Sequence, residues 1–222
     1  MNLSKSIAAS LALCLLLSSC ATQRITTGAK DDDLKILLIS DLNDSYGSVK
    51  YSKEVHEVVK RVKDINPDII LYGGDMVAGQ KASLTASRLD SMWMAFDQVV
   101  LKPVSELGVP FGFTMGNHDA SPSYHLDRAA ASNFWSANKT KTNLTLVDDT
   151  YFPYYFSYIK HNVFFISWDA SSAVIPAEVK IWMQEQLSSP VANKARVRIV
   201  LGHLPLYAIV AAKNKKGEVL ND

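Results

Sequence analysis

The sequence predicts an α/β fold, in which helices alternate with the strands of largely parallel sheets. Three observations support this prediction. Short apolar runs recur along the chain from residue 34 onward, and segments with apolar residues at helical spacing separate them. Four of the runs end in strongly polar stretches that are flanked by glycine. Such endings are typical of open sheets that bind a ligand at the carboxyl ends of their strands.

The apolar runs are the strand candidates, because they are short and rich in Ile, Val, Leu and Phe. They are Leu34–Ile39, Ile69–Tyr72, Phe111–Met115, Val163–Trp168 and Val197–Leu201. The segment from Tyr151 to Trp168 contains two β-rich runs joined at Lys-His-Asn, which indicates a hairpin. The hairpin predicts a second sheet or an antiparallel edge.

Four segments show the apolar spacing of amphipathic helices. In the first, Val55, Val58, Val59, Val62 and Ile65 form one face of a helix that Pro67 stops. The second helix is longer and has apolar positions from Leu89 to Val100. The third pattern is weaker and runs from about Tyr124 to Ala137. The fourth helix follows Pro176, and its inner face consists of Val179, Trp182, Met183 and Leu187.

Composition favours one globular domain over residues 34–222, and two small domains are the alternative. The whole chain has 222 residues, of which 48% are hydrophobic, so it is long enough to bury one sizeable core. The formal net charge of +1 gives no indication of a nucleic-acid partner or of a polybasic membrane contact.

Residues 1–19 have the pattern of a signal peptide. Lys5 precedes an apolar run, Ile7–Leu17, that is too short to span a bilayer as a stable anchor. The Leu-Ser-Ser-Cys that follows resembles the lipobox of bacterial lipoproteins, which implies that Cys20 is lipidated and becomes the mature N-terminus. An ordinary signal peptide cleaved near this cysteine and an uncleaved anchor are the alternatives.

Residues 20–33 are polar and non-periodic, and we expect a tether between the lipid and the domain. The expected location is the cell envelope, facing the periplasm or at the cell surface, with membrane contact through the lipid alone. Cys14 and Cys20 are the only cysteines of the chain, so the mature form would have no disulfide and no thiol nucleophile.

The polar stretches at four strand ends carry the candidate functional residues. The first two contain Asp41-Leu-Asn43 and Gly-Asp75, and the last two contain Gly-Asn117-His118-Asp119 and Gly-His203-Leu-Pro. Each stretch alone is typical of a turn. Together, at the same end of successive strands, they offer carboxylate, amide and imidazole groups, which are ligands for divalent metals.

This series of motifs resembles the calcineurin-like metallophosphoesterase family from Leu34 to the end of the chain. The resemblance implies a four-layer αββα sandwich, in which helices flank two mixed sheets. It also implies two divalent ions (Mn, Fe, Zn or Mg), about 3.5–4 Å apart, that activate a water molecule. The expected substrate is a small phosphomonoester or phosphodiester.

The family pattern assigns a role to each matching residue. It implies that Asp75 bridges the two metals, that Asp41 binds the first and that Asn117 and His203 bind the second. His118 would act near the leaving-group oxygen, as a general acid or as a stabiliser of developing charge. Asp119 would orient the His118 imidazole. His56, His125 and His161 are expected at the surface or in a turn, with a substrate contact open for His125.

Two positions depart from the family pattern. Asn43 stands where the family has histidine, so the first metal site is weaker or favours harder ions, unless Asn43 only shapes the turn. No histidine follows His203, and the family's Gly-His-x-His motif is absent. We therefore expect either a fragment that lacks C-terminal strands or a degenerate member. The second option allows a catalytically impaired binding or scaffold lipoprotein.

Overall fold

The computed structural model describes residues 33–205, 212–213, 216 and 219–220. The predicted signal peptide, Cys20 and almost all of the tether lie outside the described residues. The chain divides into two units, Met1–Asp33 and Leu34–Asp222, and only the second is described below. Within the described part of the chain, no helix has the length and apolarity needed to cross a membrane.

The first sheet has three parallel strands, in the order β1-β2-β3. Its strands are β1 (Ile36–Ile39), β2 (Ile69–Tyr72) and β3 (Phe111–Phe113). Ile36 lies opposite Ile69, and Ile70 lies opposite Phe111, so the three strands end at the same edge. β1 begins two residues later than its apolar run, and β3 ends two residues before Met115 because the chain leaves the sheet there to form the loop at this edge.

The second sheet is mixed and has the order β4-β5-β6-β7. Its strands are β4 (Thr145–Tyr151), β5 (Tyr155–Lys160), β6 (Val163–Ser167) and β7 (Val197–Leu201). The predicted hairpin is confirmed: β5 and β6 pair antiparallel, and the two turn residues between them, His161 and Asn162, both have positive φ. The last pair, β6 and β7, is parallel. A two-stranded antiparallel ribbon follows, formed by β8 (Ala212–Lys213) and β9 (Val219–Leu220).

Four predicted helices are present, together with short ones that the periodicity did not reveal. The helices are α1 (Lys53–Ile65), α2 (Ala86–Phe96), α3 (Lys102–Glu106), α4 (Asn117–Ala120), α5 (His125–Asn138), α6 (Ala177–Leu187) and α7 (Pro190–Lys194). A π-helical turn, Asp97–Leu101, joins α2 to α3, so the second predicted helix continues beyond Val100. The Ser52 side chain accepts a hydrogen bond from the backbone of Val55 and caps α1.

The core lies between the sheets and beneath the helices. Trp135 of α5 stacks on Phe113 of β3, with ring centroids 3.8 Å apart. Gly112 lets the two sheets approach, because a Cβ there would overlap the ring of Tyr158 in β5. On the outer face of the second sheet, Phe164 and Ile166 of β6 pack with residues of α6 and α7. The expected arrangement of two sheets flanked by helices is therefore confirmed.

Candidate metal centre

Four loops meet at the carboxyl ends of β1, β2, β3 and β7. One carboxylate oxygen of Asp41, one of Asp75 and a ring nitrogen of His203 all lie within 4.8 Å of one another. The Nε2 atom of His203 lies 3.0 Å from Oδ1 of Asn117 and 3.4 Å from Oδ1 of Asp75. The structure thus brings together residues from all four predicted motifs.

The backbone at the two predicted carboxylate ligands is left-handed. Asp41 has φ 56° and Asp75 has φ 60°. Gly74, which directly precedes Asp75, has φ 98°. A left-handed residue other than glycine costs roughly 1 kcal/mol or more, although aspartate tolerates it better than most. The backbone N–H of Asp41 donates to the carbonyl of Gly74 at 3.1 Å, which joins the two loops. Both strained residues are therefore candidate ligands.

Two glycines allow the side chains to come this close. A Cβ at Gly74 would lie 2.8 Å from Nδ1 of His203, and one at Gly116 would overlap the carboxylate of Asp75. The position of Gly74 also has a positive φ. Any larger residue at either position would push a predicted metal ligand out of the cluster.

The orientation of His203 is determined by the backbone. Its Nδ1 atom lies 2.7 Å from the carbonyl oxygen of Gly73. A carbonyl only accepts, so Nδ1 carries the proton and donates. Nε2 faces the oxygens of Asn117 and Asp75, which are acceptors: a charged ring donates to them, and a neutral ring directs its Nε2 lone pair at the same point. Acceptors that converge in this way suit a cation, and the backbone bond is the usual support of a metal-binding histidine.

Asn117 is held by a chain of contacts that the sequence did not reveal. Its Nδ2 donates to Oε1 of Gln80 at 3.2 Å, which turns Oδ1 towards His203. The backbone N–H of Gln80 in turn donates to Oδ2 of Asp127, a carboxylate that is 2% exposed. Burial raises the pKa of Asp127, and the bond from Gln80 opposes this. Neither residue belongs to a motif at a strand end, so no sequence signal pointed to them.

Asp119 occupies a different position from the one predicted. Its Oδ2 accepts from the backbone N–H groups of Asp75 and Gly116, at 2.8 and 2.9 Å, and its Oδ1 accepts from Val77 at 2.9 Å. The expected bond to His118 is not formed, because both oxygens serve the loop backbone and Nδ1 of His118 has no partner. Asp119 therefore anchors the loops that carry the candidate ligands.

The buried carboxylates have raised pKa values. Asp119 is fully buried, and this burial together with the charge of Asp75 raises its pKa to about 8, against the effect of its three backbone hydrogen bonds. Burial also raises the pKa of Asp75, while the imidazole of His203 and the backbone N–H of His118 act in the opposite direction. A bound cation would favour the ionised form of Asp75.

His118 lies at the edge of the cluster. Its backbone N–H donates to Oδ1 of Asp75 at 3.0 Å, and its Nε2 is 3.9 Å from Oδ2 of the same residue. The ring lies next to Tyr46, with centroids 5.3 Å apart, and Tyr46 is more than half exposed. The imidazole is thus positioned between the carboxylate and the solvent side of the site.

Asn43 is close to the cluster but its amide nitrogen faces away from it. Nδ2 donates to the carbonyl of Val77 at 3.4 Å, and the backbone N–H donates to the carbonyl of Asp75 at 3.3 Å. Both contacts tie the first loop to the second. Asn43 therefore joins these two loops, and its turn-shaping role and its role as a metal ligand both stay predictions.

The sheets and this cluster define the class of protein: an α/β protein with a candidate metal site at its strand ends. The family model described as calcineurin-like phosphoesterase matches residues 34–221, so the chain belongs to that family. The family binds divalent metals, and its chemistry is metal-dependent hydrolysis of phosphate esters.

Comparison with curated proteins gives no match. Among solved structures, one similar chain is TT1561 of Thermus thermophilus. It is 15% identical, the alignment covers 83% of this chain and 71% of that chain, and the TM-score is 0.40.

Proposed function

We propose that this protein hydrolyses a small phosphomonoester or phosphodiester at a dinuclear metal site. The observation that carries the proposal is the convergence of Asp41, Asp75 and His203 within 4.8 Å, with the Asn117 amide oxygen beside His203. Lipidation at Cys20 would place the enzyme in the cell envelope, facing the periplasm or at the cell surface. The membrane contact would be the lipid alone, and no nucleic-acid partner is proposed.

The proposal assigns these residues to two divalent ions, since carboxylate, amide and imidazole groups are ligands for such metals. Asp75 would bridge them, Asp41 would bind the first, and Asn117 and His203 would bind the second. When bound, such ions polarise the phosphoryl group and make water a strong nucleophile at neutral pH. The protein supplies the charge of two carboxylates and holds the imidazole and the amide with hydrogen bonds from outside the cluster.

His118 is the group that would act on the leaving alcohol. Its Nε2 faces Asp75 at 3.9 Å, so the ring reaches the cluster without being part of it. A proton donated from Nε2 to the leaving-group oxygen would neutralise the alkoxide as the ester bond breaks. Asp119 contributes indirectly, by anchoring the loops of Asp75 and Gly116.

The test is hydrolysis of nitrophenyl phosphate and bis(nitrophenyl) phosphate with Mn²⁺, Mg²⁺, Zn²⁺ or Fe²⁺. We expect Asp75→Ala and His203→Ala to reduce kcat/KM by more than about 100-fold, since even the outer partners of metal ligands contribute about 10–100-fold. His56→Ala, at an exposed position of α1, is the matched control. Unchanged activity in either site variant would refute the proposal.

The second candidate is a catalytically impaired binding or scaffold lipoprotein with the same fold. The contact between Nδ2 of Asn43 and the carbonyl of Val77 favours it, because this amide is engaged in the loop where the family has an imidazole. Metal analysis separates the two candidates. Fewer than one bound ion per chain, with no hydrolysis in any of the four metals, would support the second.

A further inference from the structure

A second concave surface, of about 690 Å³, lies at the same edge of the second sheet as His203. We call it the tyrosine groove, and its polar lining consists of His125, Arg128, Tyr151, Tyr154, Tyr155, Asp169 and Glu178. Phe156 of β5 pairs with Ser167 of β6, and Ser167 pairs with Leu201 of β7. The turn before β5 and the loop after β6 therefore lie at the strand end that precedes His203.

The groove is attached to the short helix of the candidate metal centre. Nη1 of Arg128 donates to the carbonyl of Ala120 at 2.7 Å, and Ala120 ends α4, which carries Asn117 and His118. Nη2 of Arg128 donates to Asp169 at 2.9 Å. One guanidinium thus joins the helix of His118 to the wall of the groove. The groove is in this way connected to the helix that carries the residue that would act on the leaving group.

The wall around Arg128 is built by several specific contacts. The guanidinium carbon lies 4.0 Å from the centroid of the Tyr154 ring. The Tyr154 hydroxyl donates to the carbonyl of Arg128 at 2.9 Å and lies 2.7 Å from Oγ of Ser132. Nη1 also donates to Ser171 at 3.3 Å. The wall is therefore formed before any ligand binds, which lowers the entropy cost of binding.

The groove also has an aromatic surface, and two carboxylates line it. The rings of Tyr151 and Tyr155 stack with centroids 4.4 Å apart, and Tyr151 is 48% exposed. Partial burial raises the pKa of the Tyr155 hydroxyl. The electrostatic effects of Tyr151, Glu178 and Asp169 raise this pKa further. Both carboxylates line the same groove as the aromatic pair. Aromatic faces bind the apolar side of a ring, and carboxylates accept from hydroxyl groups.

The charge of the groove argues against a second phosphate. Arg128 is bonded to Asp169, and Glu178 adds a further negative charge. Arg128 and Asp169 offset each other, so a phosphate placed here would face the remaining negative charge of Glu178, and His125 would attract it only as an imidazolium. Hydroxyl groups would instead donate to these carboxylates. The lining therefore suits an uncharged, hydroxylated ligand.

We propose that the tyrosine groove binds the alcohol portion of the phosphate ester, an uncharged ring with an apolar face and several hydroxyl groups. The proposal rests on the proposed function, since it assigns the substrate class to the same site. A nucleoside and a hexose both have this chemistry. The ring packs on Tyr151 and Tyr155, and its hydroxyl groups donate to Glu178 and Asp169.

The first experiment measures binding without hydrolysis. Adenosine and methyl β-glucoside are titrated separately into EDTA-treated protein by calorimetry, and the two arms distinguish the two sources of ring. We expect one of them to bind, and Tyr151→Ala or Glu178→Ala to weaken binding at least fivefold. Glu57→Ala, an exposed glutamate of α1, is the matched control for Glu178. No binding of either probe, or equal binding by all variants, overturns the proposal.

The second experiment separates this proposal from the proposed function. Tyr151→Ala is expected to raise KM for the phosphate of the bound ring at least fivefold, whereas the control Glu57→Ala leaves this KM and the hydrolysis of ethyl phosphate unchanged. One outcome overturns the groove proposal alone: the protein hydrolyses ethyl phosphate as well as it hydrolyses the phosphate of the ring, and Tyr151→Ala changes neither activity. Ring binding with no hydrolysis of any phosphate ester supports the groove and overturns the proposed function.

Discussion

The imidazole of His203 donates from Nδ1 to the carbonyl oxygen of Gly73 at 2.7 Å. The two residues are 130 positions apart in the chain, and they follow β7 of the second sheet and β2 of the first. This bond therefore connects the two sheets at the candidate metal centre. It also points Nε2 towards Asp75 and Asn117, so that the sheets and the ligand cluster depend on the same ring.

The first prediction concerns metal-dependent stability. Mn²⁺ at 100 times its Kd should stabilise the protein by about 2.7 kcal/mol, because the ion binds only the folded state. This corresponds to a rise in Tm of roughly 5–10 °C by calorimetry. His203→Ala should lose most of the rise, whereas His56→Ala should keep it. A rise of equal size in His203→Ala would show that Mn²⁺ binds elsewhere.

The second prediction concerns the chain of contacts from Asp127 through Gln80 to Asn117. Gln80→Leu removes the acceptor that orients the Asn117 amide, so Mn²⁺ affinity should fall by about 10–100-fold. Gln80→Glu keeps an acceptor oxygen and should restore most of the affinity. Isothermal titration calorimetry gives the affinities, and Tm without metal reports on folding.

A purely structural role for Gln80 would give a different result. In that case Gln80→Leu would lower Tm in EDTA and leave the Mn²⁺ affinity of the folded protein unchanged. That outcome would contradict the proposed orientation of Asn117.

The third prediction concerns the buried carboxylate of Asp119. Asp119→Ala leaves three backbone N–H groups without their acceptor in a buried loop, which should cost about 3 kcal/mol or more. The expected decrease in Tm is roughly 10 °C. Asp119→Asn should also destabilise the protein, since its NH₂ group would face a backbone donor.

The matched control is Asp149→Ala on β4, where a partly exposed carboxylate pairs with Lys139. The loss of such a surface pair should change the free energy of unfolding by about 1 kcal/mol or less. Equal effects of Asp119→Ala and Asp149→Ala would show that the three backbone contacts contribute nothing.

The fourth prediction concerns stability above pH 10. Complete burial raises the pKa of Tyr158 far above its usual value, and the Ser167 hydroxyl, which donates to it at 3.5 Å, opposes this only weakly. The folded state then keeps the proton that the unfolded chain loses above pH 10. Stability should therefore fall as pH rises, with a slope of up to about 1.4 kcal/mol per pH unit.

Tyr158→Phe removes this proton from both states, so its unfolding free energy should decline less steeply between pH 10 and 11. Urea unfolding at several pH values measures the slope for each protein. Parallel slopes for the two proteins would contradict the prediction.

The fifth prediction concerns Asn43. Asn43→His supplies an imidazole where the family has one, so Zn²⁺ binding should rise towards two ions per chain. The substitution removes the hydrogen bond from Nδ2 to Val77, which at 3.4 Å is long, so it should cost little stability. Asn43→Ala is the control and should bind no more Zn²⁺ than the original protein. Elemental analysis after dialysis gives the stoichiometry, and equal values for Asn43→His and Asn43→Ala would refute the prediction.

Much of the fold could be predicted because its signals are local. β2 and β7 have the bounds that their apolar runs indicate, and α1 lies between Ser52 and Pro67 as its periodicity and caps predict. β4 was not predicted as a strand, because its alternating sequence Thr-Leu-Val-Asp-Asp-Thr-Tyr contains few apolar residues and mostly exposed positions. Its pairing with β5 stabilises it, and pairing is not a local property.

The sequence by itself determined the chemical types at the candidate site and the strand ends that carry them, because glycine and aspartate after an apolar run are neighbours in the chain. Only the tertiary structure decided what each side chain contacts. Asp119 bonds to the backbone of a loop 42 and 44 residues earlier, and Asp127 bonds to Gln80 across 47 residues. Such partners are chosen by the packing of strands and helices against each other, and residue spacing along the chain does not record that packing.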